Sequence, residues 1–366
     1  MTSILVVGLG RVGLRTLGYL KELIPEATYL AVDTDKSKLD LLRGVEGVEP
    51  YQYEPGILGR LGERVDLAVT ALPSSTAFRS ILELVGRCVD VVDVSFFPED
   101  PYTLNKVVED CHSALIVDAG FAPGYSNVVV GYAYFKLGLG EDIEIDVGGL
   151  PEKPLPPIGY VVTWNPRDLL EEYTRPARYV ENGVFRSVRP LEAIRNVEVK
   201  GVGVFEGFLS DGLRTMLRNI KARNLREITI RWPNHLSAMK LLYELGFLDD
   251  SEVNVGGVSV KPIDLTAAVL EKKLSASAND IAILQVVAKG AGKFYHEVAV
   301  LKGSPRNPAT PTFTALVHAY TAKITLGEKL KPGVVTLEEL YEYKQEYEEH
   351  LSRHGVVIKK GASVFN

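Results

Sequence analysis

Three glycines near the start of the chain are spaced to hold a diphosphate. Ser3-Ile4-Leu5-Val6-Val7 is a continuous apolar run, and Gly8-Leu9-Gly10-Arg11-Val12-Gly13 follows it directly. Leu14, Leu17, Gly18, Leu20 and Leu23 then recur at helical spacing until Pro25. A second apolar run, Tyr29–Val32, ends at Asp33, twenty positions after Gly13. Short apolar runs of this kind read as strands buried on both faces of a parallel sheet. Strand, glycine turn, helix, strand and acid, in that order and at those distances, make a dinucleotide-binding pattern. Gly8 permits the tight turn, Gly10 lets the backbone approach a pyrophosphate, and Gly13 lets the helix sit close to the strand. The helix tip, reached through Arg11 and Val12, presents free N–H groups and a positive dipole end to the phosphates. Asp33 suits the adenosine ribose hydroxyls, and its charge repels a 2′-phosphate. Thr34 beside it supplies no cation. NAD is the expected cofactor, with NADP kept open by Lys36 and Lys38.

The elements that must position this cradle continue down the chain. Residues 65–70, 89–94 and 114–117 read as further strands, with helical patterns at 75–87 and 101–112. With the first two strands they make five βα units in about 118 residues. Ligands on such sheets bind beyond the carboxyl ends of the strands. Ala71, Leu72 and Pro73, then Asp93 and Ser95, then Asp118 and Gly120 are therefore expected at one crevice. The first two groups border the dinucleotide, and the third lies where the nicotinamide should sit. Asp118 is a candidate proton acceptor or partner for a cation in that crevice; the alternative is N-cap or turn stabilisation. Asp93 has the same two readings, with a structural or ribose-contacting role favoured.

The chain has 366 residues, with 41 Lys and Arg against 47 Asp and Glu, a formal net charge of −6. That length fits two or three domains. Hydrophobic residues are 46% and charged residues 24%, the proportions of an ordinary globular chain. No Lys/Arg-dense run stands out, so neither nucleic acid nor an anionic membrane is an expected partner. No apolar stretch reaches the roughly 18 residues of a membrane span. The first apolar run enters the glycine motif without a cleavage signal, so the expected compartment is the cytoplasm. Cys88 and Cys111 lack zinc-ligand spacing and are too few for a disulfide framework. They read as buried small hydrophobes, and no metal is expected.

Later blocks carry a resemblance. Gly120-Phe-Ala-Pro-Gly-Tyr-Ser-Asn127, Gly148-Gly-Leu-Pro151, Asp168-Leu-Leu-Glu-Glu-Tyr-Thr-Arg-Pro-Ala177, Ser210-Asp-Gly-Leu-Arg-Thr215 and Ile230-Arg-Trp-Pro-Asn-His235 run in fixed order over most of the chain. Together they resemble the saccharopine dehydrogenase-like family, nearest to its lysine 6-dehydrogenase members. The family usually has Tyr and Gly where this chain has Trp232 and Asn234, a change in the pocket wall or turn. The resemblance implies an α/β protein in three segments. Residues 1–120 would be a doubly wound Rossmann domain, 121–305 a second α/β domain for substrate and dimer contacts, and 306–366 a helical segment returning to the first. The residues agree with an apolar helical pattern over 312–326 and a charged helix over 337–351, the latter read as a solvated face. A homodimer or higher homo-oligomer is implied too.

The implied reaction removes hydride from the carbon bearing the lysine ε-amino group, leaving an imine that hydrolyses to a semialdehyde and can cyclise. Such a site must deprotonate the amine, because an ammonium near pKa 10.4 cannot expel hydride. It must also clamp the α-carboxylate and seat the carbon against the cofactor. Arg231 is suited to a bidentate carboxylate grip, and His235 either shares that grip or shuttles a proton near neutral pH. An interdomain salt bridge and a helix-entry histidine are the structural alternatives. Arg214 is a second candidate clamp, or else a structural partner of Asp211. Glu171 and Glu172 read as surface residues, and Tyr160, Thr163 and Trp164 as pocket wall or core. A saccharopine reductase-type or carboxynorspermidine-type oxidoreductase remains the alternative chemistry. A nucleotide-binding sensor without chemistry is the alternative of another class.

Overall fold

The computed structural model describes residues 2–162, 165–274 and 277–364, so Thr163 and Trp164 lie outside the described residues. The strands in chain order are β1 (Ser3–Val7), β2 (Thr28–Asp33), β3 (Val48–Gln52), β4 (Leu67–Thr70), β5 (Asp90–Asp93), β6 (Ala114–Val117), β7 (Asp142–Pro151), β8 (Ala177–Glu181), β9 (Val184–Val188), β10 (Ile194–Val199), β11 (Gly203–Leu209), β12 (Asn224–Arg231), β13 (Val253–Val255), β14 (Val258–Val260), β15 (Asp280–Gly290), β16 (Lys293–Lys302), β17 (Gly333–Thr336) and β18 (Val357–Val364). They divide between two units, Met1–Val128 with Pro311–Leu351, and Val129–Thr310 with Ser352–Asn366.

The first unit holds a seven-stranded sheet in the order β17-β6-β5-β4-β1-β2-β3. Its pairings are all parallel, the doubly wound Rossmann arrangement expected. The apolar runs are buried on both faces, with Ile4, Leu5, Leu67, Ala68, Val91, Leu115 and Ile116 fully inaccessible. Two strands were not anticipated. β3 contains Pro50, which breaks a strand pattern but is tolerated at a sheet edge, where β3 lies. β17 comes from far along the chain and adds to the opposite edge through Val334↔Leu115 and Val335↔Ile116. The helix α1 (Gly13–Leu23) packs on this sheet. It is pinned by His318 of the helix Ala309–Gly327. His318 Nε2 donates to the Val92 carbonyl at 3.0 Å, leaving Nδ1 to accept from the Thr16 hydroxyl at 3.2 Å. Burial drives this ring's pKa down to about 4, so it stays neutral.

Three expectations are corrected here. Segment 306–366 is not wholly helical, because its end forms β18 of the other unit's sheet. Residues 337–351 are a solvated face only in part: Glu342, Gln345, Glu346 and Glu349 are exposed, but the other side is buried. Glu338 is inaccessible and accepts from Asn127 Nδ2 at 2.9 Å, and the inaccessible Tyr347 bonds Thr321 through its hydroxyl. Cys88 and Cys111 are not buried hydrophobes but a disulfide, with Cα atoms 4.9 Å apart. Cys88 ends the turn before β5 and Cys111 begins the turn before β6. Since β5 and β6 are parallel neighbours, their entry turns lie side by side.

The second unit is built on a mixed sheet ordered β10-β11-β12-β7-β15-β16-β18, with β8 pairing β12 and β9. Only β12 and β7 run parallel within that path. The helices Pro166–Glu171, His235–Glu244 and Pro262–Leu274 contribute to one apolar cluster with Tyr160, Tyr173 and Phe208. β7 is mostly buried rather than half-exposed as its alternation predicts, because it lies between β12 and β15. Among the described residues, no helix is long and apolar enough to cross a membrane.

The bridge closes a loop spanning 23 positions, which should be worth about 3 kcal/mol through the unfolded chain's lost freedom. Cys88→Ser should lower the denaturant midpoint of the oxidised protein accordingly. A midpoint identical in wild type and variant, and unmoved by reductant in the wild type, would show that the two thiols are not bonded.

Candidate functional site

In the first unit the carboxyl ends of the parallel strands bring the predicted cofactor residues together. Gly8 sits at φ +88°, and a Cβ there would lie 2.4 Å from the Ala71 carbonyl oxygen. A Cβ on Gly13 would lie 1.8 Å from the Gly8 carbonyl oxygen, so α1 approaches β1 as only glycine allows. At Gly10 the same construction meets nothing within 4 Å. Gly8 and Gly13 therefore shape the turn, whereas Gly10 leaves a bare stretch of backbone open to a ligand. The α1 tip has no side-chain cap, and Arg11 beside it is exposed.

Asp33 is 8% exposed. Its Oδ2 accepts from the Leu9 N–H at 2.6 Å, its Oδ1 accepts from the Asp35 N–H at 2.8 Å, and Lys38 Nζ lies 3.3 Å away. The acid thus braces the glycine turn as well as facing the sugar position. Thr34 is exposed. Asp93 is fully buried and serves as the keystone of the next two loops. It accepts from Thr70 Oγ1 at 2.6 Å, Ser95 Oγ at 2.8 Å and the Ser95 N–H at 2.9 Å. Ser95 Oγ in turn accepts from the Leu72 N–H at 3.0 Å, which fixes the segment Ala71–Pro73. Burial raises the Asp93 pKa to about 7, against the hydrogen bonds from Thr70 and Ser95, and the nearby Asp118 charge adds to the rise. Asp118 is 2% exposed, with a left-handed φ of 58°. Its carbonyl oxygen accepts from the Gly120 N–H at 2.8 Å. Gly120 is itself buried, with no room for a side chain against Val94 and Pro123.

In the second unit β12 delivers Glu227, Thr229 and Arg231 to one face, all at most 4% exposed. Arg231 Nε donates to Tyr173 Oη at 2.9 Å, Nη1 to the Ile230 carbonyl at 3.0 Å, and Nη2 to Glu172 Oε2 at 2.6 Å. Its guanidinium carbon lies 5.2 Å from the Tyr160 ring centre. His235 Nδ1 lies 3.0 Å from the Ile158 carbonyl oxygen, which can only accept, so Nδ1 carries the proton. Nε2 is then the acceptor for the Tyr173 hydroxyl at 2.8 Å. Tyr173 therefore accepts from Arg231 and donates to His235, and burial raises its pKa. Burial, with the Arg231 charge, lowers the His235 pKa to about 3.

This arrangement alters the expected roles. His235 is neutral at physiological pH and bonded at both ring nitrogens, so it does not shuttle protons near neutrality; it orients Tyr173. Arg231 is already held by Glu172, which is not a mere surface residue: its side chain is 29% exposed and seals the guanidinium. Asp211, the alternative partner for Arg214, takes Nε and Nη2 of Arg178 at 2.7 and 2.9 Å. Arg214 adopts φ 46°. Sequence reasoning missed Tyr173, Ser210 and Glu227. The first two sit inside the quoted motif blocks, and Glu227 shares its strand face with Leu225, Thr229 and Arg231.

A parallel-sheet unit with an open glycine cradle, joined in one chain to a mixed-sheet unit with a buried charge cluster, defines a two-unit α/β architecture with a Rossmann-type first unit. The Saccharopine dehydrogenase C-terminal domain pattern matches residues 120–356, and the chain belongs to that family. Curated relatives include carboxyaminopropylagmatine dehydrogenase of Synechocystis, 23% identical over 181 residues, 47% of this chain and 43% of the relative. Another is saccharopine dehydrogenase [NADP(+), L-glutamate-forming] of Pyricularia oryzae, 23% identical over 296 residues, 76% of this chain and 65% of the relative. The matches thus span about two fifths to two thirds of these relatives' lengths. Apo saccharopine dehydrogenase (L-Glu forming) from Saccharomyces cerevisiae shares the fold, with TM-score 0.80, 15% identity and full coverage of both chains.

An unfolded histidine protonates near 6.5, but His235 in the fold protonates only near 3. Below pH 6.5 the unfolded state binds the extra proton, so stability falls with pH across that window. The thermal midpoint should fall from pH 7 to pH 5, and His235→Gln should flatten that fall. Equal slopes in both proteins would mean that His235 titrates normally.

Proposed function

We propose that this chain is an NAD-dependent oxidoreductase acting on the CH–NH2 group of an amino acid, by oxidative deamination of the lysine ε-amino carbon to a semialdehyde. The observation carrying this reading is the open backbone at Gly10, flanked by the uncapped tip of α1 and by Asp33. The donor set fits a dinucleotide: free N–H groups for the diphosphate and an acid for the ribose. Gly8, Gly10, Arg11, Val12 and Gly13 would hold the diphosphate. Asp33 and Thr34 would meet the adenosine ribose, and Ala71–Pro73, Asp93, Ser95 and Gly120 would shape the path to the nicotinamide. Lys38, 3.3 Å from Asp33, is the feature that favours a 2′-phosphate, and the Pyricularia relative is named for NADP(+). The coenzyme supplies the hydride acceptor.

The chain's own residues would do the rest. Asp118, close enough to Asp93 to raise its pKa, would take the amine proton or hold the ammonium until the proton leaves. Arg231 would be the carboxylate clamp, with Glu172 as the internal carboxylate that a substrate exchanges for, and Arg214 the second cation. Tyr173 and His235 position that clamp. A cytoplasmic homodimer is the proposed setting. Oxidation of a secondary amine linking two amino acids is the second reading, favoured by the names of both curated relatives.

Purified protein with NAD and lysine should give rising absorbance of reduced nicotinamide. Turnover with saccharopine alone would select the second reading, and coenzyme binding without turnover on any amine would indicate a sensor. Gly10→Val should leave stability within about 0.5 kcal/mol, since its site is open, yet abolish coenzyme binding by calorimetry. Asp33→Ala should weaken NAD more than NADP. Wild-type affinity in Gly10→Val, or equal losses in Asp33→Ala, would remove that residue from the coenzyme site.

A further inference from the structure

One buried carboxyl group in the second unit has no role in the scheme above. Glu227, on β12, is 4% exposed. Its Oε1 accepts from Ser210 Oγ at 2.9 Å, whereas Oε2 is buried with no hydrogen-bond partner. The carboxyl lies directly over Gly212: a Cβ there would sit 1.9 Å from Oε1 and 2.3 Å from Oε2. The loop after β11 thus gives up a side chain to make room for this group. A buried acceptor without a donor costs about 1–3 kcal/mol, and a chain keeps such a group chiefly where something else will satisfy it.

The groups around Glu227 define what that something is. Ser210 and Asp211 face it from the loop after β11, and Glu172 from the end of the helix Pro166–Glu171. Arg231 lies further along the same strand. Two nearby arginines are engaged with other carboxylates, Arg231 with Glu172 and Arg178, on β8, with Asp211. Tyr173 and His235 are neutral. Glu172 and Asp211 are the charges that act on the carboxyl, and both are negative, so a cation is the ligand that suits it.

We propose that Glu227 is an ammonium-binding subsite, in which Oε2 receives the non-reacting ammonium of an amino-acid substrate. This rests on the amino-acid reading above and adds the determinant that selects a substrate with two amines. Burial, with the Glu172 and Asp211 charges, raises the Glu227 pKa to about 8 despite the hydrogen bonds from Ser210 and the Gly212 backbone. In the free protein the carboxyl is then largely protonated near neutrality. An arriving ammonium displaces that proton to solvent and pairs with the carboxylate.

Calorimetry of the coenzyme-loaded protein with lysine, norleucine and 6-aminohexanoate tests this. The last lacks the α-amine and norleucine lacks the ε-amine. Wild type should bind lysine and norleucine above 6-aminohexanoate, and Glu227→Gln should lose that preference, with lysine weakened at least about tenfold. A preference retained in the variant overturns the subsite. Infrared titration decides the matter even if none of the three binds. A protonated carboxyl band absent from Glu227→Gln should titrate near pH 8, and butylammonium should move it to lower pH. A band that butylammonium leaves in place overturns the subsite, whereas a moved band without lysine oxidation overturns only the lysine reading. Should Glu227→Gln not fold, Ser210→Ala serves. Removing its hydrogen bond should move the same band to higher pH while keeping the butylammonium response, and an unmoved band counts against the proposal.

Discussion

A guanidinium taken out of water must be given acceptors, and the second unit is arranged around that requirement. Arg231 keeps its charge at 2% exposure because Tyr173, Glu172 and the Ile230 carbonyl accept its hydrogen bonds. Burial works against the charge, and Tyr173, Tyr160 and Glu172 more than offset it, so its pKa is raised. Removing one member of such a buried pair typically costs about 3–5 kcal/mol. The requirement then propagates. Tyr173 can accept from Arg231 only by turning its own proton elsewhere, and His235 is the acceptor it finds. His235 accepts there because the Ile158 carbonyl holds its other nitrogen in the donor state. One charge thereby sets the end of β12, the end of the helix Pro166–Glu171 and the entry of the helix His235–Glu244.

The first unit obeys a different constraint, close approach rather than charge. The helix tip can reach the strand ends only because Gly8 and Gly13 lack side chains. Asp33 and Asp93 then tie the loops in place from below, each spending most of its hydrogen-bonding capacity on backbone or hydroxyl donors of the crevice. A carboxylate that braces a loop and faces a ligand position joins local rigidity to recognition, which is the preorganisation a coenzyme site needs.

The two units differ in how much of them could be read from residue order. The cradle is written in consecutive residues, since turn, helix tip and adjoining strand lie within thirty-three positions. Strands β1, β2, β4, β5 and β6 announced themselves as apolar runs because both sheet faces bury them. β3 did not, since an edge strand tolerates Pro50, and β17 did not, since its neighbour β6 is over two hundred positions away. The charge cluster was half legible. Arg231 and His235 stood out as residue types, but their partners come from residues 158, 172 and 173, and no spacing rule joins those to β12. Glu227 gave no signal in residue order that set it apart from other strand acids.

From residue order alone came the Rossmann-type unit, the glycine cradle with its acid, and the family blocks, because each depends on local periodicity or on short fixed spacings. Only the tertiary structure decided which charges are spoken for. It paired Arg231 with Glu172 and Arg178 with Asp211, made His235 a neutral acceptor, bridged Cys88 to Cys111 through parallel strand neighbours, and set Glu227 over Gly212 with its Oε2 unpartnered. Electrostatic role depends on burial and on partners brought from distant segments. Those are properties of packed surfaces, which the order of residues along a chain does not display.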